Sequence, residues 1–189
     1  MTNVEEPTTV EETTTVEETT TEEVTEPIGS VGLKYKVNPD GMTCTITEIG
    51  TCTDTALVIP SKINGYSVTS IGDDAFYECY GLTSVTIGNG VTSIGNRAFY
   101  GCSRLESVTI GNSVTSIGYG AFYGCSGLMS ITIPDSVTSI GEWAFAYCSG
   151  LTNITFNGTM EQWYSISGGS LNSFTGAYTI HCTDGDINK

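Results

Sequence analysis

The stretch VTSIGYGAFYGCSGLMSITIPDS, residues 114–136, recurs along the chain with few changes. Its opening motif, VTSIG, begins at Val68, Val91, Val114 and Val137, so the spacing is 23 residues each time. No insertion interrupts this register across the four copies. A fixed period of 20–29 residues indicates a solenoid of leucine-rich-repeat size, in which each coil buries its apolar side against its neighbours.

Apolar residues recur at fixed places within each copy. The closing segments SVTI, SVTI, SITI and NITF alternate apolar and polar residues, which is typical of a strand with one face in a core. The segment from the Ala-Phe pair to the cysteine predicts about one helical turn. We predict that a structural core is formed by three columns: Phe76, Phe99, Phe122 and Phe145; Cys79, Cys102, Cys125 and Cys148; and Leu82, Leu105, Leu128 and Leu151.

Four of the seven cysteines lie one coil apart, in the second of these columns. Stacked coils are about 4.8 Å apart, and parallel Cβ atoms keep that separation, which is beyond the usual ~3.5–4.5 Å of a disulfide. A straight column also does not converge on one point, as a metal site requires. We therefore predict buried, reduced thiols.

The other cysteines allow different interpretations. Cys44 and Cys52 would face each other if a hairpin turned near Ile49, and a disulfide between them stays open. Cys182 follows His181, the only histidine of the chain. Adjacent residues of a strand point to opposite faces, so this pair does not predict a nucleophile with its base.

The charge of the chain is uneven. The net charge is −15, and residues 1–27 hold nine of the 21 acidic residues with no Lys or Arg. We predict a disordered Thr/Glu-rich linker at residues 1–28, with a glycosylated stalk as the alternative. A chain this acidic would repel phosphate backbones and anionic membrane surfaces, so we expect no nucleic-acid partner. The sequence also lacks an apolar run of ~20 residues, which predicts no membrane insertion.

Both ends of the repeat array need a cover. LKYKV, NPDG and TCTIT predict a β-hairpin, so residues 29–67 are interpreted as an N-terminal β cap with a partial repeat. Four repeats occupy residues 68–156, and residues 157–189 form a C-terminal cap and tail. Trp143 and Trp163 either cover the open end or form an aromatic patch, and covering is favoured.

The stretch LTSVTIGNGVTSIGNRAFYGCSRLESVTIGNSVTSIGYGAFYGCSGL, residues 82–128, strongly resembles the BspA-type leucine-rich repeats of bacterial surface proteins. LVIPSKINGYSVTSIGDDAF at residues 57–76 and the exit segment that begins ITFNGTMEQWYSI also resemble that family. The resemblance implies a right-handed solenoid with a parallel sheet, an extracellular or cell-surface location, and roles in adhesion and protein binding. It implies no catalysis. The export signal is not expected within this chain, because its N-terminus has no apolar stretch.

No spacing typical of a catalytic, phosphate-binding or zinc site occurs, so we predict no enzyme activity, no cofactor and no metal. The closing TDGDINK has the alternating acids that open a calcium loop, namely Asp184, Asp186 and Asn188. The essential glycine and the closing glutamate do not follow, so a polar exit tail is the favoured interpretation.

Two exposed columns are candidate binding surfaces. Tyrosine is a common binding anchor because it has a large apolar ring and a polar tip. The alternative is that these rings only shield the turn of the next coil. One candidate column contains Tyr77, Tyr100 and Tyr123, with Tyr147 one step off. The other is the outward face of the strands, with Ser84, Thr86, Ser107, Thr109, Ser130 and Thr132, continued by Asn153 and Thr155.

The size of the strand face limits its affinity. Four strands of five residues give roughly 350 Å², short of the ~800 Å² per partner of a stable interface.

We predict a monomeric, non-enzymatic binding module that contacts an extracellular protein or glycan. The alternative is a structural spacer. Arg104, Glu106 and Met129 depart from the repeat consensus without an evident cluster, which slightly favours the spacer.

Overall fold

The computed structural model describes residues 29–167 and 174–188, so the predicted linker at residues 1–28 lies outside the described residues. The elements in these ranges are short, as a tightly wound coil requires. In chain order they are β1 (Lys34–Val37), β2 (Thr43–Glu48), β3 (Ala56–Ile59), β4 (Lys62–Ile63), β5 (Tyr66–Ile71), β6 (Ser84–Ile87), β7 (Ser93–Ile94), β8 (Ser107–Thr109), β9 (Ser116–Ile117), β10 (Ser130–Ile133), β11 (Ser139–Ile140), β12 (Asn153–Phe156), α1 (Met160–Ser165), β13 (Thr179–Cys182) and β14 (Gly185–Asn188).

Two sheets run along the solenoid. The front sheet has the strand order β14-β13-β12-β10-β8-β6-β3, and every pair in it except β13–β14 is parallel. The back sheet has the order β1-β2-β5-β7-β9-β11, with β4 beside β5. Val85 lies opposite Val108, and Ile131 opposite Ile154, one period apart. The predicted parallel solenoid is therefore confirmed.

The segment between the back and front strands is a chain of turns. Each coil donates backbone hydrogen bonds to the next coil, from the Phe76 N–H to the Ala98 carbonyl and from the Phe99 N–H to the Ala121 carbonyl, both 2.7 Å. The φ angles of Asp74 and Glu78 are +56° and +52°. These left-handed residues interrupt a helix, so the predicted helical turn does not form.

The N-terminal residues form the first coil. The predicted hairpin is present, because β1 pairs with β2 in antiparallel fashion. However, β2 also pairs in parallel with β5, and β3 pairs in parallel with β6. This region thus stacks below the repeats as a coil of its own.

The C-terminal residues add another coil. Helix α1 begins at a capping box, in which Thr159 accepts from the Gln162 N–H and the Gln162 side chain accepts from the Thr159 N–H. Strand β13 then joins the front sheet. Residues 183–188 form a turn and strand β14 instead of the predicted polar tail, because their backbone pairs with β13. The solenoid therefore has about six coils, where the sequence indicated four repeats.

Candidate binding surface

A stack of buried phenylalanines lies behind the tyrosine column, in the segment between the back and front strands. Neighbouring ring centroids are 5.0, 5.2, 5.3 and 4.8 Å apart, and the rings are within 8° of parallel. The stack contains the four phenylalanines predicted from the sequence and one phenylalanine of the C-terminal coil. Its members are Phe76, Phe99, Phe122, Phe145 and Phe174. The leucine column lies beside it, fully buried. Side chains that follow the phenylalanines are held in register by this stack.

The cysteine column pairs with backbone carbonyls. The Cys102, Cys125 and Cys148 thiols donate to carbonyl oxygens of the preceding coil, at 3.1–3.2 Å. Those oxygens belong to the phenylalanine 26 residues earlier. Cys79 has no such partner beneath it and is only partly buried, since the first coil has a different shape there. A small side chain with a weak donor fits this position, which explains the repeated cysteine.

Thiol reactivity is expected to follow this burial. In the native protein, iodoacetamide should alkylate the partly buried Cys79 and Cys182 first. Cys102 and Cys125 should react only after denaturation, because neither is accessible to solvent. Peptide mapping by mass spectrometry measures the order. Equal rates at all four positions in the folded protein would contradict the packing described.

Alkaline pH is expected to destabilise the fold through the same thiols. Burial raises the pKa of Cys102 from 9.0 to about 12, so this thiol stays neutral in the folded protein and ionises first in the unfolded chain. The unfolded chain then binds fewer protons, and stability falls as pH rises. The expected loss is about 1.4 kcal/mol per pH unit for this thiol between about pH 10 and 11. Urea titrations of the protein and of Cys102→Ala measure it, and the variant should show the shallower slope.

The tyrosine column lies on the outside of the same segment. The rings of Tyr77 and Tyr100 are 5.1 Å apart and 10° from parallel, and those of Tyr100 and Tyr123 are 4.6 Å apart and 2° from parallel. The ring faces therefore cover each other. Tyr77 is 42% exposed, and Tyr100 and Tyr123 are half-buried.

The column changes at its C-terminal end. Ala146 occupies the tyrosine position and is fully buried, and Tyr147 follows one residue later. The Tyr147 ring packs on Tyr123 at 4.9 Å with a tilt of 45°, and it is 57% exposed. At the other end, burial and the Glu78 carboxylate raise the pKa of Tyr77. The column is thus a row of phenols with an acidic neighbour.

The front sheet presents two rows of polar side chains. The first row contains Ser84, Ser107, Ser130 and Asn153, and the second contains Thr86, Thr109, Thr132 and Thr155; all eight are exposed or half-buried. The rows continue into β13 and β14 with Thr179, Asn188, His181 and Asp186. Seven strands of about four residues still give only roughly 400 Å². The longer sheet therefore hardly enlarges the face estimated from sequence.

The two tryptophans have different positions. Trp163 on α1 is fully buried, packs edge-on against Phe156 at 5.2 Å, and covers the end of the core. Trp143 is 42% exposed, with a φ of +62°. The favoured interpretation, covering, therefore holds for Trp163 and not for Trp143.

The remaining candidates have structural partners. His181 Nδ1 lies 2.9 Å from Asp186 Oδ1 on the outward face, whereas Cys182 packs against the core. Asp184 accepts a hydrogen bond from the Met160 N–H at 2.8 Å.

Cys44 and Cys52 are both buried free thiols, because the hairpin turns near residue 40 and not near Ile49. Within residues 29–167 and 174–188, no group of three His, Cys, Asp or Glu side chains is placed to hold a metal ion.

A cavity of about 210 Å³ lies where the first coil meets the second, with Cys52, Cys79 and Leu82 in its wall. A groove of about 520 Å³ lies at the N-terminal end, beside Tyr35, Lys62 and Asn64. No helix in the described part of the chain has the length and apolar character to cross a membrane.

Sequence patterns missed two exposed aromatics. Tyr119 is 50% exposed, and together with Trp143 it departs from small or charged residues in the other coils. Aligning the four copies column by column would have found both. The same alignment puts Glu106 and Met129 in one column on neighbouring coils.

Comparison with known proteins identifies the repeat. The family model of the BspA type leucine rich repeat region matches residues 69–181 with six copies. A comparison with curated proteins found no match.

Solved structures share the fold. A T. pallidum leucine-rich repeat protein is 31% identical with a TM-score of 0.63, and the match covers 66% of this chain and 57% of that one. A leucine-rich repeat protein from Bacteroides capillosus is 32% identical with a TM-score of 0.61, and the match covers 67% of this chain and 95% of that one. A leucine-rich cell surface protein from Faecalibacterium prausnitzii is 29% identical with a TM-score of 0.53, over 76% of this chain and 41% of that one. The chain thus spans about half the length of the first and third. With its 23-residue coils and this family match, the chain belongs to the BspA-type leucine-rich repeat family.

Proposed function

We propose that this chain is a monomeric, non-enzymatic binding module of a secreted or surface-displayed bacterial protein, and that it contacts an extracellular protein or glycan. The tyrosine column carries the proposal. Its three side chains are exposed or half-buried at three successive coils, at spacings of 4.6–5.1 Å between rings. Tyrosine is enriched at binding hot spots, because one rigid side chain offers both apolar area and a hydrogen-bonding group.

The setting of the family supports the location. The Faecalibacterium prausnitzii relative is described as a cell surface protein. The front sheet adds a neutral, hydroxyl-rich face that could extend a contact. Because the front-sheet face alone is smaller than the ~800 Å² per partner of a stable interface, useful affinity requires the tyrosine column as well or several copies.

A screen of the full chain against extracellular-matrix proteins and a glycan array tests this function. Two triple variants at Tyr77, Tyr100 and Tyr123 locate the site. The Tyr→Phe variant keeps the ring stack and removes the hydroxyls, whereas the Tyr→Ser variant removes both. We expect the Ser variant to lose the signal. A matched variant with Thr86, Thr109 and Thr132 changed to Ala should keep it.

The spacer function is the second candidate. The continuous phenylalanine stack makes neighbouring coils one stiff body, which suits a unit that holds other domains apart. No specific signal at high micromolar concentration, from protein with a cooperative unfolding transition, would favour the spacer and reject the binding module.

A further inference from the structure

The phenylalanine stack stops at the junction between the first and second coils. Its first ring belongs to Phe76, and the sequence has no phenylalanine before that residue. The cavity of about 210 Å³ lies at this junction, and its wall contains two cysteines, Cys52 and Cys79. The junction therefore combines incomplete packing with two thiols at one cavity.

Backbone hydrogen bonds show how the two cysteines are placed relative to each other. The N–H groups of Thr83 and Ser84 both donate to the Thr55 carbonyl, at 2.7 and 3.2 Å, so Thr55 lies one coil below them. Cys79 precedes Thr83 by four residues, and Cys52 precedes Thr55 by three. The two cysteines therefore occupy corresponding parts of successive coils, out of step by one residue.

One coil spacing falls within the range that a disulfide spans. Neighbouring coils are about 4.8 Å apart, and the Cα atoms of a disulfide are usually about 4.4–6.8 Å apart. Because Cys52 and Cys79 are out of step, they are not bound to the parallel Cβ arrangement that disfavours the bond in the straight column. The cavity beside both side chains gives them space to change rotamer. Gly81, in the same wall, has no heavy atom within 4 Å of its would-be Cβ atom, which keeps this space open.

Cys79 also differs from the three later thiols of its column. Those thiols are buried and donate to phenylalanine carbonyls at 3.1–3.2 Å. The Cys79 thiol is partly exposed, and its contact with the Tyr77 carbonyl is longer, at 3.9 Å. Cys79 is thus the thiol of the column that a dissolved oxidant reaches, with Cys52 in the wall of the same cavity.

We propose that Cys52 and Cys79 are a disulfide-forming pair which, once oxidised, joins the first coil covalently to the second. The structure shows the reduced form. A terminal coil has one neighbour instead of two, so a solenoid opens most readily from its ends, and a bond here protects the end that the cavity weakens. Disulfides persist in oxidising extracellular surroundings, which agrees with the proposed location. The bond needs no ligand on the tyrosine column, so the two proposals can fail separately.

The oxidant is a small-molecule disulfide such as oxidised glutathione. The Cys79 thiolate attacks one of its sulfur atoms, which forms a mixed disulfide and releases one glutathione. The Cys52 thiolate then attacks the Cys79 sulfur and releases the second glutathione. Two protein thiols are oxidised to one disulfide, one glutathione disulfide is reduced to two thiols, and the two protons end on the released glutathiones. Burial raises the pKa of the Cys79 thiol above its usual 9.0, so mildly alkaline buffer should speed the reaction.

Peptide mapping of the full chain locates the bond. The folded protein is equilibrated with a roughly tenfold excess of oxidised over reduced glutathione. It is then unfolded with N-ethylmaleimide, which blocks free thiols, and digested with trypsin. Cleavage gives one peptide of residues 37–62, which contains Cys44 and Cys52, and one of residues 63–97, which contains Cys79. We expect these two peptides to be joined, with a mass two hydrogen atoms below their sum, and reduction should separate them.

Three variants assign the bond. Cys52→Ala and Cys79→Ala should each abolish the joined peptides, whereas Cys44→Ala, which leaves both members of the pair, should keep them. Oxidation should also raise the melting temperature by about 5 °C or more in the original chain and in Cys44→Ala. In Cys52→Ala and Cys79→Ala the oxidised and reduced samples should melt alike. Each variant is compared with its own reduced form, so a general loss of stability does not mimic this result.

Four results would overturn the proposal. The two peptides stay separate in the oxidised folded protein, the bond survives in Cys52→Ala and so involves Cys44, Cys79 ends as the mixed disulfide with glutathione, or the joined protein melts no higher than the reduced one. Any of these leaves the proposed binding module in place, because the tyrosine variants alone test that function.

Discussion

Replacing Phe122 by Ala is expected to lower the free energy of unfolding by about 3–5 kcal/mol. Phe122 is the middle ring of the phenylalanine stack, 5.2 Å from Phe99 and 5.3 Å from Phe145, and it is inaccessible to solvent. The coils above and below are held at fixed spacing by backbone hydrogen bonds, so the space left by the ring cannot close. Urea titration followed by circular dichroism measures the loss.

Tyr123→Ala is the matched control for this change. Tyr123 is the next residue, also lies in a ring stack and is half-buried on the outside. Its removal leaves no closed cavity, so it should cost clearly less than Phe122→Ala. A loss below ~1 kcal/mol for Phe122→Ala, or equal losses for both variants, would contradict a core built on the phenylalanine stack.

Gly118→Ala should be the second strongly destabilising change. A Cβ atom on Gly118 would be 2.6 Å from Gly95 C and from Asn96 N, which are backbone atoms of the coil below. Backbone in a hydrogen-bonded stack cannot move aside for one coil alone. We expect a loss of about 2–3 kcal/mol, at the upper end of overpacking effects.

Gly81→Ala controls for the loss of glycine itself. Gly81 has no heavy atom within 4 Å of its would-be Cβ atom and no left-handed φ. This variant should stay within about 0.5 kcal/mol of the original chain. If Gly118→Ala were equally neutral, the coils could not be stacked as closely as the structure has them.

The repeat made the middle of the fold predictable from sequence. A period of 23 without insertions puts equivalent residues in register, so the phenylalanine and leucine columns follow once one strand is identified. The close approach at Gly118 also belongs to this regularity, since VTSIG ends at a glycine in every copy.

The C-terminal coil could not be predicted from the repeat, because its residue spacing differs from 23. Ser139 bridges to Ser167, 28 residues on, and Phe145 bridges to Phe174, 29 residues on, since α1 is inserted in this coil. A search at a fixed period of 23 passes over such a coil. The capping box at Thr159 and Gln162 was the available signal for the helix.

The binding surface was predictable only in part. Consecutive tyrosines one period apart predict a column, and the structure adds that their ring faces stack on each other. The left-handed backbone at Trp143 and Tyr147 could not be predicted from residue type. The position of Trp143 holds Asp74, Arg97 and Gly120 in the other coils, and these residues have no common backbone preference. Strain becomes visible only when the backbone is known.

The measurement that tests the proposed function most directly is the affinity of the full chain for its strongest extracellular partner, compared with that of the Tyr77, Tyr100 and Tyr123 to Ser variant. Equilibrium binding by biolayer interferometry gives both values on one partner surface. A tyrosine column that binds predicts a loss of about tenfold or more, with the Thr86, Thr109 and Thr132 to Ala variant unchanged. Equal affinities for the original chain and the tyrosine variant would contradict it.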